Sequence, residues 1–284
     1  MTTRWDVVGF GEHSIDVVYR GAARRVSPGG QVATTLCTCA ALGLRTAYLG
    51  VFGDDEHGPR LRAELETRGV HTGAGLTRHA SSRYACIFVD ESGDRTVFWQ
   101  RDAALRLRPE DLPRDLVTSA RLLHVDNVDE DAAIAAARLA RDAGVHVTTD
   151  IDQVTPRTMA LVETATIPIL AEHVPRALTG ERDPERALRM LRQRHHGMLC
   201  VTLGARGAML LDGDTLHQAQ AVTVEAVDTT GAGDVFRGAF IYALLRGDSP
   251  PDILRFANAA AAVSCTREGA IGGVPTLADV EALL

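Results

Sequence analysis

Val227-Asp228-Thr229-Thr230-Gly231-Ala232-Gly233-Asp234-Val235-Phe236-Arg237-Gly238-Ala239-Phe240 is the most informative stretch of the 284-residue chain. A loop of small residues runs into an apolar helix that the pattern carries to about Arg246. Glycines at this junction let backbone N–H groups approach a ligand closely. The N–H groups of a helix's first turn have no partner within the helix, and with the helix dipole they make an anion site. Asp234 lies at that helix start. A carboxylate beside an anion-binding loop reads as a base that accepts a hydroxyl proton while the loop holds a transferring phosphoryl group. It reads also as an Asp that caps the helix, and the loop alone does not choose between the two.

Outward from this stretch, apolar strand-like runs alternate with helical patterns. Asp6–Gly11, Thr46–Val51, Leu122–Val125, Val145–Thr149, Ile167–Leu170 and Leu199–Thr202 read as buried strands. Thr34–Leu42, Gly58–Arg68 and Asp131–Ala143 read as helices, each followed by glycine. This alternation predicts an α/β fold, with a mostly parallel sheet covered by helices on both faces. Arg83–Val89 and Arg95–Gln100, joined by the turn Asp90-Glu91-Ser92-Gly93-Asp94, read as a hairpin inserted in that pattern.

Composition narrows the chemistry. All 30 basic side chains are arginine, against 37 acidic ones, for a net charge of -7. Without lysine there is no Schiff-base enzyme and no GxxxxGK[ST] phosphate loop. Phosphate must be met by arginine, backbone N–H groups or metal. The acidic balance argues against a nucleic-acid partner. No apolar run reaches the ~18 residues of a membrane span. Cys37, Cys39, Cys86, Cys200 and Cys265 are odd in number and scattered, which predicts free thiols and a cytoplasmic protein. No spacing of Cys or His points to zinc.

Asp228-Thr229-Thr230-Gly231-Ala232-Gly233-Asp234 resembles the DTxGAGD signature of the ribokinase-like (pfkB) carbohydrate kinases. Other pieces fall in the order of that family. Gly9–Asp16 resembles its first strand and sugar-contacting Asp, and Pro28-Gly29-Gly30 its N-terminal signature. Gly53–Gly58 resembles its GDDxxG loop, and Thr202–Gly207 its TLGxxG nucleotide loop. Arg255–Gly269 resembles its closing helix and cation loop. The resemblance covers nearly the whole chain. It implies a ribokinase-like three-layer α/β/α sandwich with a small β lid, formed by residues 1–284 as one domain. It implies an ATP-dependent kinase acting on a primary hydroxyl of a sugar, of ketose type. Asp234 would be the base, ionised at pH 7 like an ordinary Asp, and Gly231, Ala232 and Gly233 the anion hole. Asp16, Gly29, Gly30 and Thr34 would contact sugar. Thr202, Gly204 and Gly207 would lie along the nucleotide, with Asn258 near the adenine. Asp228 and Thr230 match a monovalent-cation site for K+, and Mg2+ would travel with ATP.

The chain departs from the family at three places. Ala171-Glu172-His173-Val174 stands where many members have Asn-x-x-Glu, so metal handling lacks that pair. Thr34 replaces a sugar-bonding Asn. The segment 17–28 is too short for the two lid strands usual there, which leaves the lid mainly to residues 83–101 and weakens the family's lid-paired homodimer. Arg101, Arg24 and Arg25 are the candidate cations for an anionic group on the substrate, and Asp126 and Asn127, past a strand end, are further substrate contacts. A nucleoside kinase of the same family and a binding protein without turnover are the competing readings. Gly9-x-Gly11 as a dinucleotide fingerprint fails, because Ser14 stands where its third glycine belongs.

Overall fold

The computed structural model describes residues 5–90 and 95–284. Residues 1–4, and residues 91–94 of the turn read from the sequence at 90–94, lie outside the described residues. In chain order the strands are β1 Trp5–Phe10, β2 Ser14–Arg20, β3 Ala23–Gly29, β4 Thr46–Leu49, β5 Val51–Gly53, β6 Val70–His71, β7 Leu76–Arg78, β8 Tyr84–Val89, β9 Arg95–Gln100, β10 Ala120–Asp126, β11 His146–Asp150, β12 Ile169–Ala171, β13 Leu199–Thr202, β14 Ala208–Asp212 and β15 Thr215–Ala219. The helices are α1 Gln31–Ala41, α2 His57–Thr67, α3 Arg114–Thr118, α4 Glu130–Asp142, α5 Thr158–Thr164, α6 His173–Thr179, α7 Pro184–Arg192, α8 Ala232–Arg246, α9 Pro250–Cys265 and α10 Leu277–Glu281.

The central sheet runs β6-β4-β1-β10-β11, with every pairing parallel. Bridges Thr148↔Ile167 and Ile151↔Leu170 continue it in parallel toward β12 and β13, and β14 and β15 add an antiparallel edge. Side chains alternate across this sheet as the two-residue period requires. Val8, Phe10, Leu123 and Val125 pack with Ile134 and the alanines of α4 on one face. Val7 and Leu122 pack with Val32, Ala33 and Leu36 of α1 on the other. Helices therefore cover both faces, the three-layer α/β sandwich expected from the strand–helix alternation. The parallel strands all point their C-terminal ends to one edge, where loops can bind ligands.

A separate four-stranded sheet has the order β3-β2-β8-β9. Its composition corrects the sequence reading, which gave no strands to the segment between Asp16 and Gly29. That segment makes β3 and most of β2, antiparallel in register from Ser14↔Gly29 to Arg20↔Ala23. Two features make so short a segment sufficient. The strand starts at Ser14, before the expected limit. The loop is only Gly21-Ala22, and Gly21 has φ +56°, the left-handed value a two-residue hairpin turn of the II′ type needs at its first position. The expected 83–101 hairpin is present as β8 and β9, but it joins β2 in parallel instead of standing alone.

Candidate active site

α8 begins at the predicted loop. Gly231 is its N-cap with φ +78°, and a Cβ there would stand 2.7 Å from the Ala270 backbone. The chain can make this turn only with glycine, because both the left-handed angle and the close approach exclude a side chain. The loop lines a cleft of about 550 Å³ together with Thr202, Gly204, Gly207 and Asn258. The four nucleotide-loop candidates and the anion-hole candidates Ala232 and Gly233 thus share one cavity. Gly207, with φ +86°, would drive a Cβ to 2.0 Å from the Ala219 carbonyl oxygen. Asn258 lines the cleft, but its Nδ2 donates to the carbonyls of Ala219 and Gln220 at 3.0 and 3.1 Å. Its amide N–H groups hold the cleft wall.

Asp234 is not the ordinary carboxylate the sequence suggested. The protein packed around it pushes its pKa well above the usual range, and the facing Asp150 carboxyl adds to the rise. Arg237, one helical turn on, opposes both. Its Nη2 lies 2.7 Å from Asp150 Oδ1, and both side chains are buried. Asp150, at the end of β11, is itself raised to about 6, chiefly by burial. Both carboxyls are thus held above the ordinary carboxylate range, and the two titrate as a pair, with Arg237 opposing the rise. Sequence reasoning missed Asp150 and Arg237. The available signal was a lone arginine inside the apolar run Val235-Phe236-Arg237-Gly238-Ala239-Phe240.

The sugar-side candidates gather on one face of the small sheet and at the start of α1. Asp16, Ser27, Ala85 and Trp99 stand opposite one another across its four strands, which puts their side chains on a common face. Gly29 has no room for a Cβ, which would lie 2.0 Å from Asp16 Oδ2. Burial raises the Asp16 pKa to about 7, with Ser14 donating to its Oδ1 at 3.1 Å. Gly30 has φ +101° and leads into α1. Thr34 is buried, and its Oγ1 has no hydrogen-bond partner. Such an orphan hydroxyl is costly unless a ligand completes it.

Other candidates are already engaged. Asp126 is fully buried and accepts from the N–H groups of Glu12 at 2.6 Å and Val128 at 3.0 Å. Asn127 donates to the Gln153 carbonyl at 2.8 Å. Both brace the strand ends. Arg101 forks onto the buried Glu12, with Nε and Nη2 at 2.8 and 3.1 Å from the two carboxylate oxygens, and its guanidinium lies over the Trp99 ring. Arg83 bonds Asp129 at 2.6 Å in the same buried lattice. The expected role of Arg101 toward an anionic substrate group is therefore taken by Glu12, a residue not singled out in the sequence. Glu172, beside the lost Asn-x-x-Glu positions, pairs with Arg206 at 2.5 Å.

Asp228 has a different fate from the one K+ would require. Its Oδ1 accepts from Thr230 N–H at 2.9 Å. Its Oδ2 accepts from Gly269 N–H at 2.9 Å and from Arg25 Nη2 at 2.5 Å. Burial alone would raise this carboxyl, but the bonds from Thr230, Arg25 and Gly269 outweigh it and hold the pKa at about 2. These donors occupy the face a monovalent ion would use, so the residues present do not fit K+. Among the described residues no group of three acidic, His or Cys side chains could hold a metal ion.

The chain matches the pfkB family carbohydrate kinase profile over residues 5–277. It is 31% identical to the Arabidopsis thaliana protein named "Probable fructokinase-5", over 98% of this chain and 97% of that one. It is 29% identical to Fructokinase-2 of Oryza sativa subsp. japonica, over 98% and 93%. Among solved structures, the ribokinase of Thermotoga maritima superposes with a TM-score of 0.86 at 25% identity, covering 98% of this chain and 99% of that one.

Proposed function

The chain belongs to the pfkB family of carbohydrate kinases, and on that premise we propose that it transfers the γ-phosphoryl group of ATP to a primary hydroxyl of a ketose, fructose first among them. Asp234 accepts the hydroxyl proton as the sugar oxygen bonds to phosphorus, and ADP leaves with the electrons of the broken P–O bond. The Gly231–Gly233 amides receive the charge of the transferring group, where preorganised N–H donors act without lysine. The observation that carries this reading is the shared cleft: Thr202, Gly204 and Gly207 line one cavity with Ala232 and Gly233, in the first turn of α8 that also bears Asp234. The orphan Thr34 hydroxyl and the Asp16 row on the facing sheet supply the sugar side.

Mg2+ enters with ATP in this scheme, held mainly by phosphate oxygens, which suits a site with no resident acidic cluster among the described residues. The small sheet acts as the lid of a one-domain enzyme. On the face opposite Asp16, Val26, Val17, Cys86 and Phe98 stand in a row from one edge to the other, with Val26 and Phe98 exposed and Val17 buried. A second copy of the chain, related by a two-fold axis, would cover this self-complementary stripe. Light scattering counts the protomers. A reducing cytoplasm is the proposed setting, in keeping with five cysteines that form no disulfide among the described residues.

The test is ADP release across a panel of sugars and nucleosides, with wild type and Asp234→Asn. Turnover on a ketose that falls at least ~10²-fold in the variant, with binding retained, is the expected result. Near-normal turnover in Asp234→Asn would sink the assignment of the base. Ligand binding without ADP release in wild type would favour a sensor.

A further inference from the structure

Arg25 stands at mid-strand on β3, in register with Val18, and reaches out of the small sheet to the loop that precedes α8. Its Nη2 is 2.5 Å from Asp228 Oδ2, and its Nη1 is 3.1 Å from Glu268 Oε2 on the loop after α9. Asp228 is largely buried, whereas Glu268 is mostly exposed, so the Asp228 contact dominates. One guanidinium thus ties together the small sheet, the loop entering α8 and the loop leaving α9. The same Asp228 oxygen also takes the Gly269 N–H, and Asp228 stands three residues before Gly231, the N-cap of α8. A positive charge at this position lies beside the loop whose amides face the cleft.

We propose that Arg25 is the resident cation of this site. Its guanidinium holds the place on Asp228 that a soluble monovalent ion would otherwise take, so the enzyme works without K+ or Na+. A guanidinium is a weakly hydrated monovalent cation that makes directed bonds to carboxylate, so it can do the electrostatic work of an ion and fix geometry as well. The charge is covalently part of the chain, so no ion binding from solution precedes turnover. The kinetic part of this inference rests on the reading of Gly231–Gly233 as the anion hole; the binding part does not.

The experiment compares chloride salts of K+, Na+ and tetramethylammonium at equal ionic strength, on wild type, Arg25→Ala and Arg25→Met. Two readouts are taken: turnover, and melting temperature without nucleotide or sugar. Wild type is expected to show the same turnover and melting temperature in all three salts. Both variants should lose about tenfold or more in turnover in tetramethylammonium, the worth of a charge-assisted contact. K+ should restore part of that loss and raise their melting temperature, because an ion that binds only the folded state stabilises it. Low concentrations of methylguanidinium should restore turnover as well. Arg25→Met keeps the aliphatic stem, so it serves if Arg25→Ala folds poorly. A K+-specific rise in the melting temperature or turnover of wild type would overturn the proposal. So would variants that match wild type and ignore K+. If no sugar supports turnover, the melting readout alone decides: a K+ shift in Arg25→Met and none in wild type upholds the resident cation, and any other pattern rejects it.

Discussion

Arg237 lies beside the Gly231–Gly233 loop proposed as the anion hole, in a chain that has no lysine. A Cβ on Gly233 would come to 2.8 Å from its Nη1, so the guanidinium lies directly against the loop. It also bonds Asp150, which faces Asp234. The three groups form a charge balance in which Arg237 lowers the proton affinity of Asp234, while burial and Asp150 raise it. A base must lose its proton before it can accept another, so the acid limb of the kcat/KM profile reports that balance. Arg237→Met removes the charge but keeps the volume. The limb should move to higher pH, with turnover at a fixed pH below it falling about tenfold per unit of movement. An unshifted limb in the variant would mean that Asp234 does not sense Arg237. Asp234 was legible because a carboxylate at a glycine-rich helix start is a rare pattern. Its elevated pKa was not legible, because it comes first from burial in the fold and then from Asp150, 84 positions away in the chain.

In the proposed site α1 carries the sugar side and α8 the phosphate side, and their contact sets the distance between the two. α1 starts after Gly30 and α8 after Gly231. They meet at Gly238, where a Cβ would lie 2.5 Å from Thr38 Cβ and 2.8 Å from the Thr35 carbonyl oxygen. Thr35 Oγ1 donates to the Asp234 carbonyl at 3.2 Å, and Cys39 Sγ to the Gly238 carbonyl at 3.5 Å. Gly238→Ala should force the helices apart. Overpacking of this kind destabilises by about 1–3 kcal/mol, read from denaturant melts. Turnover should fall further than stability explains, since a shift of about 1 Å at a catalytic group can lose about 10²-fold. A variant with full turnover at reduced stability would show that the helices can part without moving the site. The small residues of α1 were visible in the sequence as a helix, but their purpose as a close crossing was not, because it depends on which helix arrives opposite. The strands of the central sheet were legible for the opposite reason: burial on both faces makes each a continuous apolar run. β2 and β3 escaped notice because β3, Ala23–Gly29, is polar and half-exposed, and its pairing rests on the Gly21 turn.

At the scale of the whole molecule, the fold keeps several carboxyls where water cannot reach them. Burial raises Asp16 to about 7 and Asp126 to about 8, and it lifts Asp234 as well. Each has a folded value above its unfolded one, so each contributes stability that is complete below about pH 4 and is lost as pH rises through the folded value. His13 and His124 are held near 3 by burial, the opposite case: they destabilise as pH falls below the ordinary histidine value of about 6.5 and are neutral in both states above it. Asp228 and Asp279, both near 2, stay ionised in both states above about pH 5. Above about pH 6.5, then, the buried carboxyls lose their stabilisation without opposition from these groups, until the folded value of Asp126 is passed near pH 8. The buried thiols Cys37, Cys39 and Cys200, all raised, act in the same direction only above the ordinary thiol range. Denaturant melts should therefore show stability falling from about pH 6.5 to 8, in the absence of ligands. Asp16→Asn, whose side-chain oxygen can still accept from Ser14, should flatten the slope around pH 7 and leave the fall near pH 8 that Asp126 causes. A flat wild-type profile would mean that these carboxyls ionise freely in the folded chain. Saturating sugar should make the wild-type slope shallower near pH 7, because hydroxyls bonding to an ionised Asp16 repay its burial and draw its proton off at lower pH.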